Sequence, residues 1–265
     1  MIRAKKSLGQ HWLTNKGVLE KIAAAGNLSA SDTVLEVGPG TGNLTALLLA
    51  QAGKIIAVEK DENLVKILQT KFAGEINPPA GGKKLEFFSA DILTVSPTAL
   101  GLTDHNYKVV ANLPYYLTGE FLRLWLGRVP QPSLMVLLLQ KEVVERIVAR
   151  DGKESLLSLS VKLFGEPKML GTVKAGSFSP APAVDSAILL IENIDREKLT
   201  GIDEGKFFAL LKKGFAHKRK LLQNNLGKEI AALIPPDWRK ARAEDLKLAD
   251  WLNLARHIGG LFKKL

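Results

Sequence analysis

The first feature with chemical potential is a glycine-rich stretch directly after an apolar run. Glycines stand at Gly38, Gly40 and Gly42, in the spacing G-x-G-x-G, and Glu36 precedes them. A glycine-rich turn between a buried strand and a helix lets backbone amides approach a ligand closely. Dinucleotide-binding loops have the spacing G-x-G-x-x-G and phosphate-binding loops end in Gly-Lys-Ser/Thr, so neither class fits. The stretch predicts a ligand-binding loop or, alternatively, a purely structural turn.

Two carboxylates follow where a nucleoside could be held. Glu59 closes the next apolar run, 21 residues after Gly38, and a carboxylate there can accept both ribose hydroxyls. Asp91 follows a third run and can accept a hydrogen bond from an adenine amine, while Ile92 offers an apolar face to the ring. Taken singly, Glu59 could be a capping or solvated acid and Asp91 a turn residue. Together they predict a nucleoside pocket.

The motif at residues 112–115 indicates the reaction. The lone pair of an adenine amine is delocalised into the ring, so the nitrogen is a poor nucleophile. The side-chain oxygen of Asn112 and the carbonyl of Leu113 can accept its two hydrogens, and Pro114 stiffens the turn without donating. Tyr115 can stack on a flipped-out base. The alternative is a turn that ends a strand and buries its tyrosine in the core.

These residues need an alternating α/β scaffold to bring them together. Apolar and β-branched runs predict strands at 33–37, 54–59, 85–88, 108–111 and 134–139. Helical periodicity between them predicts helices near 18–23, 43–51, 62–72, 121–126 and 141–150. This alternation favours a parallel sheet with helices on both faces. Two later runs, 169–174 and 186–191, predict a hairpin at the sheet edge.

The character of the chain changes after residue 193. Helical spacing continues around Phe207–Phe215, Leu221–Leu226 and Trp251–Ile258, and no strand pattern remains. We therefore place a domain boundary near 194–202, with one domain over 1–194 and a helical one over 195–265. No internal repeat is evident.

The net charge of +10 is concentrated at the two ends of the chain. Residues 1–21 hold five Lys/Arg and one acidic residue, and residues 200–265 hold fourteen against seven, whereas the middle is close to neutral. Two basic ends around a neutral body predict binding to a polyanion. Ordinary solvated lysines are the alternative.

Composition restricts the remaining classes of protein. There is no cysteine, which excludes disulfides and thiolate chemistry and fits a reducing compartment; we expect the cytoplasm. The longest apolar run, Leu134 to Leu139, is too short to cross a bilayer, and no signal-peptide core follows the basic start. The four histidines lack metal-ligand spacing, so no metal is expected.

Several motifs, in order along the chain, resemble those of the rRNA adenine N6-dimethyltransferases. They are the stretch Gln10-His11-Trp12-Leu13, the glycine loop, Glu59, Asp91, the motif at 112–115, residues 139–144 and the segment 178–186. The resemblance implies a Rossmann-like class I methyltransferase fold with a small C-terminal all-helical domain. It implies S-adenosylmethionine as the methyl donor and catalytic roles for Asn112, Leu113, Pro114 and Tyr115, with Phe178 as a second stacking ring. It assigns contacts with the methyl donor to Gln10, His11, Leu13, Gly38, Gly40, Glu59, Lys60, Asp91, Ile92 and Asn112.

Residues 215–226 and 242–246 resemble the branch of this family that dimethylates two adjacent adenines near the end of small-subunit rRNA. That branch implies a role in small-subunit biogenesis, with rRNA in a pre-ribosomal particle as partner. No coiled-coil or apolar surface pattern indicates more than a monomer, so we expect a monomeric enzyme. Expected phosphate contacts are Lys5, Lys6, Lys218, Arg219 and Lys220, although the last three could equally form a solvated helix face. Trp12 stands where phenylalanine is usual, and His217 and Lys218 where arginine-rich residues are.

Three alternative functions share some of these features. The second branch of the family modifies large-subunit rRNA. A non-catalytic assembly factor on the same scaffold would use the basic ends equally well, but would not need an intact acceptor motif. A nicotinamide dehydrogenase fails on the glycine spacing and lacks an evident hydride-transfer acid or base.

Overall fold

The computed structural model describes residues 9–76 and 84–258, and the chain divides into two compact units. The first unit comprises Met1–Val144 and Glu166–Ile194, and the second comprises Glu145–Gly165 and Asp195–Leu265. The sequence predicts a boundary near residues 194–202. It does not predict that residues 145–165 belong to the second unit, because strand and helix patterns continue through them without a linker.

A seven-stranded mixed sheet forms the centre of the first unit, in the order β4-β3-β2-β5-β6-β9-β7. Its strands are β2 (Thr33–Val37), β3 (Lys54–Glu59), β4 (Leu85–Ser89), β5 (Lys108–Asn112), β6 (Leu134–Gln140), β7 (Glu166–Val173) and β9 (Ser186–Glu192). The strands β2 to β6 are parallel, and β9 runs antiparallel to both β6 and β7. The expected α/β fold is confirmed. The predicted hairpin is present: β7 forms one edge of the sheet, and β9 lies inside it between β6 and β7.

The helices that flank this sheet are α1 (Lys16–Ala25), α2 (Asn43–Leu49), α3 (Glu62–Lys71), α4 (Ala73–Ile76) and α5 (Thr118–Gly127), with α6 (Lys141–Val148) beginning directly after β6. Side-chain caps fix two helix starts: Asn15 accepts from the Val18 amide, and Asp61 accepts from the Asn63 amide. Residues Met135 to Leu139 of β6 are fully buried, as expected for a strand covered on both faces.

A short pair of strands lies outside the main sheet. β1 (Trp12–Leu13) pairs antiparallel with β8 (Phe178–Ser179), with Trp12 opposite Ser179 and Leu13 opposite Phe178. Two-residue strands are too short to show a periodicity, so they could not be predicted from the sequence. This pair joins the start of the described chain to the segment before β9.

The described residues of the second unit form helices and turns and contain no strand. Its helices are α7 (Leu156–Phe164), α8 (Glu204–Gly214), α9 (Leu222–Leu226), α10 (Lys228–Ala231) and α11 (Leu248–His257). The fully buried Trp251 packs closely on Gly214 and stacks on Phe215 at 5.8 Å between ring centroids. The helix α7 was not among the helices predicted from the sequence.

The basic residues Lys218, Arg219 and Lys220 lie in a turn between α8 and α9, and the interpretation as a helix face is wrong. All three are exposed. Asn225 holds this turn, because its side-chain amide donates to the carbonyls of Gly214 (2.6 Å) and His217 (3.1 Å).

None of the helices within residues 9–76 and 84–258 combines the length and the apolar character that a membrane span requires.

Gly42 fixes the packing of the glycine-rich stretch. It has φ 77° and ψ 21°, in the left-handed region, and precedes α2. A Cβ at this position would lie 2.6 Å from Cε2 of Phe72 and 2.8 Å from Cδ2 of Leu68. Gly101 has nearly the same backbone conformation, φ 70° and ψ 19°, but a Cβ there would meet nothing within 4 Å. A substitution at Gly101 therefore causes backbone strain alone, whereas the same substitution at Gly42 causes backbone strain and a steric clash.

We predict that Gly42→Ala destabilises the fold more than Gly101→Ala does. Both substitutions place alanine in the left-handed region, at a cost of about 1–2 kcal/mol. Only Gly42→Ala also forces buried side chains apart, which adds roughly 1–3 kcal/mol. Urea unfolding of the two variants measures the difference. Equal losses of unfolding free energy would show that Phe72 and Leu68 do not restrict position 42.

Glu36 is a buried carboxyl group in the centre of the sheet. It is 1% exposed, and its Oε2 has no hydrogen-bond partner among the described residues. Burial, together with the nearby charge of Glu59, raises its pKa to about 8, against the lowering effect of the Thr45 side chain. Glu36 therefore keeps its proton at pH 7, and the loop that follows it carries one negative charge fewer than the sequence implies.

The protonation of Glu36 predicts a pH-dependent stability. The folded carboxyl keeps its proton up to about pH 8, whereas the unfolded one releases it above about 4.5. The free energy of unfolding therefore falls as pH rises through this window, by up to about 1.4 kcal/mol per pH unit from this group. Glu36→Gln removes the slope.

Urea midpoints at pH 5, 6.5, 8 and 9 measure this effect. The stability of Glu36→Gln relative to the unsubstituted protein should increase from pH 5 to 8 and then level off. Glu20→Gln, at an exposed position on α1, serves as the control and should show no such trend. Parallel curves for all three proteins would contradict a protonated Glu36.

Candidate nucleoside-binding and methyl-transfer site

An open cavity of about 770 Å³ lies at the carboxyl edge of the parallel strands. It is lined by the residues that follow β2, β3, β4 and β5 and by residues 9–12. Parallel strands end at the same edge, so side chains far apart in sequence meet there. The cavity brings together nearly all the predicted site residues: Gln10, His11, Gly38, Gly40, Glu59, Lys60, Asp91, Ile92, Asn112, Leu113, Pro114, Tyr115 and Phe178.

Among the described residues predicted to contact the methyl donor, Leu13 is the one that does not line the cavity. Its side chain is 4% exposed and belongs to the hydrophobic core, and its carbonyl accepts from the Asn43 side chain at 3.1 Å. Leu13 therefore anchors the segment that carries Gln10 and His11.

The glycine loop lies against the start of the described chain. Gly38 and Gly40 have φ of 64° and 59°, and the Gly38 amide donates to the Val58 carbonyl at 2.9 Å. A Cβ on Gly40 would lie 3.1 Å from Cδ1 of Trp12. Glycine is thus required at Gly40 both by its backbone conformation and by the ring that covers it.

Glu59 is a buried acceptor held by backbone amides. Its side chain is 7% exposed and accepts from the Asp61 amide at 2.9 Å and the Gly40 amide at 3.4 Å. Burial raises its pKa above the ordinary value, against the effect of these two donors. The amides fix the direction of the carboxylate, and carboxylate oxygens that keep free lone pairs can accept further hydrogen bonds.

Asp91 is a charged acceptor on the other side of Lys60. The Lys60 ammonium lies 2.8 Å from Asp91 Oδ2, and the Leu93 amide donates to Oδ1 at 3.0 Å. The bond from Lys60 holds the pKa of Asp91 below its ordinary value. Ile92, which is 3% exposed, adds an apolar surface beside it. The group is suited to an adenine ring with its amine directed at a carboxylate.

The side chain of Asn112 is oriented by the start of the described chain. Its Nδ2 donates to the His11 carbonyl at 3.3 Å, which leaves Oδ1 as the acceptor on the other branch of the amide. The short turn that follows uses the carbonyls of Pro114 and Tyr115, which accept from the amides of Leu117 and Thr118, and it does not use the Leu113 carbonyl. Two adjacent residues therefore each provide a neutral acceptor.

Tyr115 is fixed at both its hydroxyl and its ring. The hydroxyl bonds with Ser186 Oγ at 2.8 Å, and burial raises its pKa. The His11 ring stacks on it at 6.1 Å between centroids and an angle of 22°. His11 Nδ1 in turn lies 2.8 Å from the Pro180 carbonyl, so Nδ1 carries the hydrogen. The tyrosine ring has one defined orientation before any substrate arrives.

The structure also adds residues that sequence reasoning missed. Trp12 and Tyr116 line the cavity, and Ser186 holds Tyr115 from β9. Tyr116 could have been predicted, because it is an aromatic residue directly after the 112–115 motif. The role of Ser186 could not, because it depends on the pairing of β9 with distant strands, which the residues around Ser186 do not indicate. Phe178 borders the cavity but is only 5% exposed, so it presents little of its ring to a base.

Of the expected phosphate contacts, Lys5 and Lys6 lie outside the described residues, and Lys218, Arg219 and Lys220 belong to the second unit. Within residues 9–76 and 84–258, no group of three or more His, Asp or Glu side chains could hold a metal ion.

Relatives of the chain share its full length. It is 41% identical over 271 residues to a protein of Dehalococcoides mccartyi named ribosomal RNA small subunit methyltransferase A, with 98% of this chain and 90% of that protein covered. A protein of the same name from Synechococcus elongatus is 35% identical, with 97% and 95% covered.

Solved structures agree with this similarity. A dimethyladenosine transferase from Plasmodium falciparum has a TM-score of 0.79 at 27% identity, over 94% of this chain and 98% of that one. The 23S rRNA methyltransferase ErmE has a TM-score of 0.72 at 22% identity, which shows a common fold. The family model of ribosomal RNA adenine dimethylases matches residues 1–258. The chain belongs to the ribosomal RNA adenine dimethylase family.

Proposed function

We propose that this protein dimethylates N6 of two adjacent adenosines near the 3′ end of small-subunit (16S) rRNA and thereby acts in small-subunit biogenesis. Its family activity is the S-adenosylmethionine-dependent dimethylation of adenine in rRNA. The observation that carries the proposal is the pair of acceptors at Asn112 and Leu113, with the Asn112 amide oriented by the His11 carbonyl.

The cavity residues fit the methyl donor. Glu59 would take the ribose hydroxyls, and Asp91 with Ile92 would take the adenine. The backbone of Gly38 and Gly40, which lines the cavity, would lie against the rest of the methyl donor. Bound there, S-adenosylmethionine supplies a methyl group that its sulfonium already makes electrophilic. Gln10, His11 and Lys60 complete the predicted contacts.

The protein contributes position and charge stabilisation. Oδ1 of Asn112 and the Leu113 carbonyl would accept the two amine hydrogens and direct the nitrogen lone pair at the methyl group. As methylation makes the nitrogen positive, the same two acceptors stabilise the charge, as donors stabilise an oxyanion. The nitrogen then releases one proton to water, which restores the neutral amine for the second transfer. Tyr115 would stack on the flipped-out adenine. Such orientation can lower the barrier by roughly 7–11 kcal/mol.

The small-subunit assignment rests on the relatives and on the second unit. The relatives at 35–41% identity bear names that specify the small subunit. Lys218, Arg219 and Lys220 form an exposed cationic turn that suits phosphate contacts. We further propose that the enzyme acts as a monomer on a pre-ribosomal particle in the cytoplasm.

The decisive experiment is transfer of labelled methyl groups from S-adenosylmethionine to small subunits that lack these methylations, with large subunits and naked rRNA alongside. We expect dimethyladenosine on the small-subunit particle. Label on large-subunit rRNA would assign the protein to the other branch. Tight subunit binding without any label would indicate a non-catalytic assembly factor.

We predict that Asn112→Ala lowers kcat for methyl transfer by roughly 10²–10³-fold, the usual loss when one stabilising group is removed from a reaction centre. Binding of S-adenosylmethionine, followed by calorimetry, should weaken by less than about ten-fold, because Glu59 and Asp91 remain. Methylation at the original rate would remove Asn112 from its assigned role.

Asn43→Ala is the matched control. Like Asn112, Asn43 donates its side-chain amide to a carbonyl of the segment before α1: its Nδ2 lies 3.1 Å from the Leu13 carbonyl oxygen. Unlike Asn112, it does not line the cavity. If Asn112→Ala acted only by loosening this segment, Asn43→Ala would reduce kcat equally. We expect Asn43→Ala to keep most of the activity.

A further inference from the structure

Tyr116 is an exposed aromatic side chain at the border of the cavity. It is 57% exposed and lines the cavity beside Tyr115. The other exposed large hydrophobic side chains among the described residues, Ile67, Val129 and Val184, are aliphatic and do not line the cavity. An exposed ring next to a reaction centre is available for a ligand.

The backbone around Tyr116 is held firmly. It is the middle residue of the short turn Tyr115–Leu117, where Tyr115 is tied to Ser186 and Leu117 is 7% exposed. The next residue, Thr118, is 4% exposed and begins α5. The exposed ring therefore projects from a fixed base, and ordering it on a ligand costs little conformational entropy.

One part of the Tyr116 ring is supported by the chain itself. Gly9 lies next to it, and a Cβ on Gly9 would be 3.5 Å from Cδ1 and 3.7 Å from Cε1 of the ring. Gly9 has φ 58°, a conformation that favours glycine. The backbone at Gly9 therefore lies beside the ring, and its φ rather than lack of space is what favours glycine there.

We infer that Tyr116 is a second base-binding platform, which stacks on the unpaired base next to the target adenine. The inference rests on the proposed function, since it needs a single-stranded RNA substrate. Extruding the target base breaks its stacking with its neighbours, which costs a few kcal/mol. A tyrosine directly after the residue that takes the target can restore that stacking for the neighbouring base. Because two adjacent adenosines are methylated, that neighbour would be the other target.

The platform is tested with Tyr116→Ala and with Tyr116→Phe as the matched control, which keeps the ring and loses the hydroxyl. The substrate is a short RNA that the unsubstituted enzyme methylates, whichever ribosomal subunit it represents. Choosing the RNA this way separates the inference from the subunit assignment. 2-Aminopurine replaces the base on the 5′ side of the target in one RNA and on the 3′ side in another, because stacking quenches its fluorescence.

We expect quenching at one of the two positions with the unsubstituted enzyme and with Tyr116→Phe, and loss of that quenching with Tyr116→Ala. Tyr116→Ala should lower kcat/KM for RNA by roughly ten-fold, the range for one base on an aromatic ring. On an RNA that lacks the neighbouring base, all three proteins should become equal.

Two results would overturn the inference. An equal loss for Tyr116→Ala on RNA with and without the neighbouring base would show that Tyr116 does not bind that base. Weaker binding of S-adenosylmethionine to Tyr116→Ala in the absence of RNA, with unchanged quenching, would place the ring over the donor instead.

Discussion

The register of the parallel strands is the constraint on which the site depends. Val37 lies opposite Val58, and Glu59 opposite Ser89, so the three strands β2, β3 and β4 end together. The functional residues stand at or just after these ends, and Asn112 ends β5 in the same way. A one-residue slip of β3 would turn Glu59 to the opposite face of the sheet. Such a slip would also exchange the side chains on the two covered faces of β3 and disturb their packing.

The sheet alone does not complete the site; the segment that precedes α1 does. Residues 10–12 lie over the strand ends and are tied down by unlike contacts: the β1–β8 pair, the bond from Asn112 to the His11 carbonyl, and the bond between His11 and Pro180. His11 thus orients the acceptor through its backbone and the stacking tyrosine through its ring. Most of these contacts join residues over 100 positions apart, so a change near residue 180 can alter catalysis without touching a substrate.

The sequence was sufficient for features that depend on local pattern. The apolar runs located β2 to β6 and β9 to within one residue, whereas β7 begins three residues before its predicted start. The motifs identified most of the cavity lining because each follows a strand directly. Features that depend on pairing between distant segments were not predictable. The position of β9 inside the sheet, the β1–β8 pair and the support of Tyr115 by Ser186 belong to this group. The turn at Lys218 was misassigned because Asn225, which folds it, acts from the following helix.

The second unit is built from two separate pieces of chain, which has a consequence for the design of chimaeras. Its earlier piece, residues 145–165, contacts the later one through the bond from the Glu154 amide to the Glu244 carbonyl, the bond from the Asp195 amide to the Phe164 carbonyl, and the ion pair of Lys153 with Asp245. In the complete unit Glu154 is buried. A chain that ended after Ile194 would keep α7 and Glu154 but would lack the partners that the later piece provides. Recombining this unit between relatives requires exchange of both pieces, since a single crossover at the C-terminal boundary joins halves that never packed together.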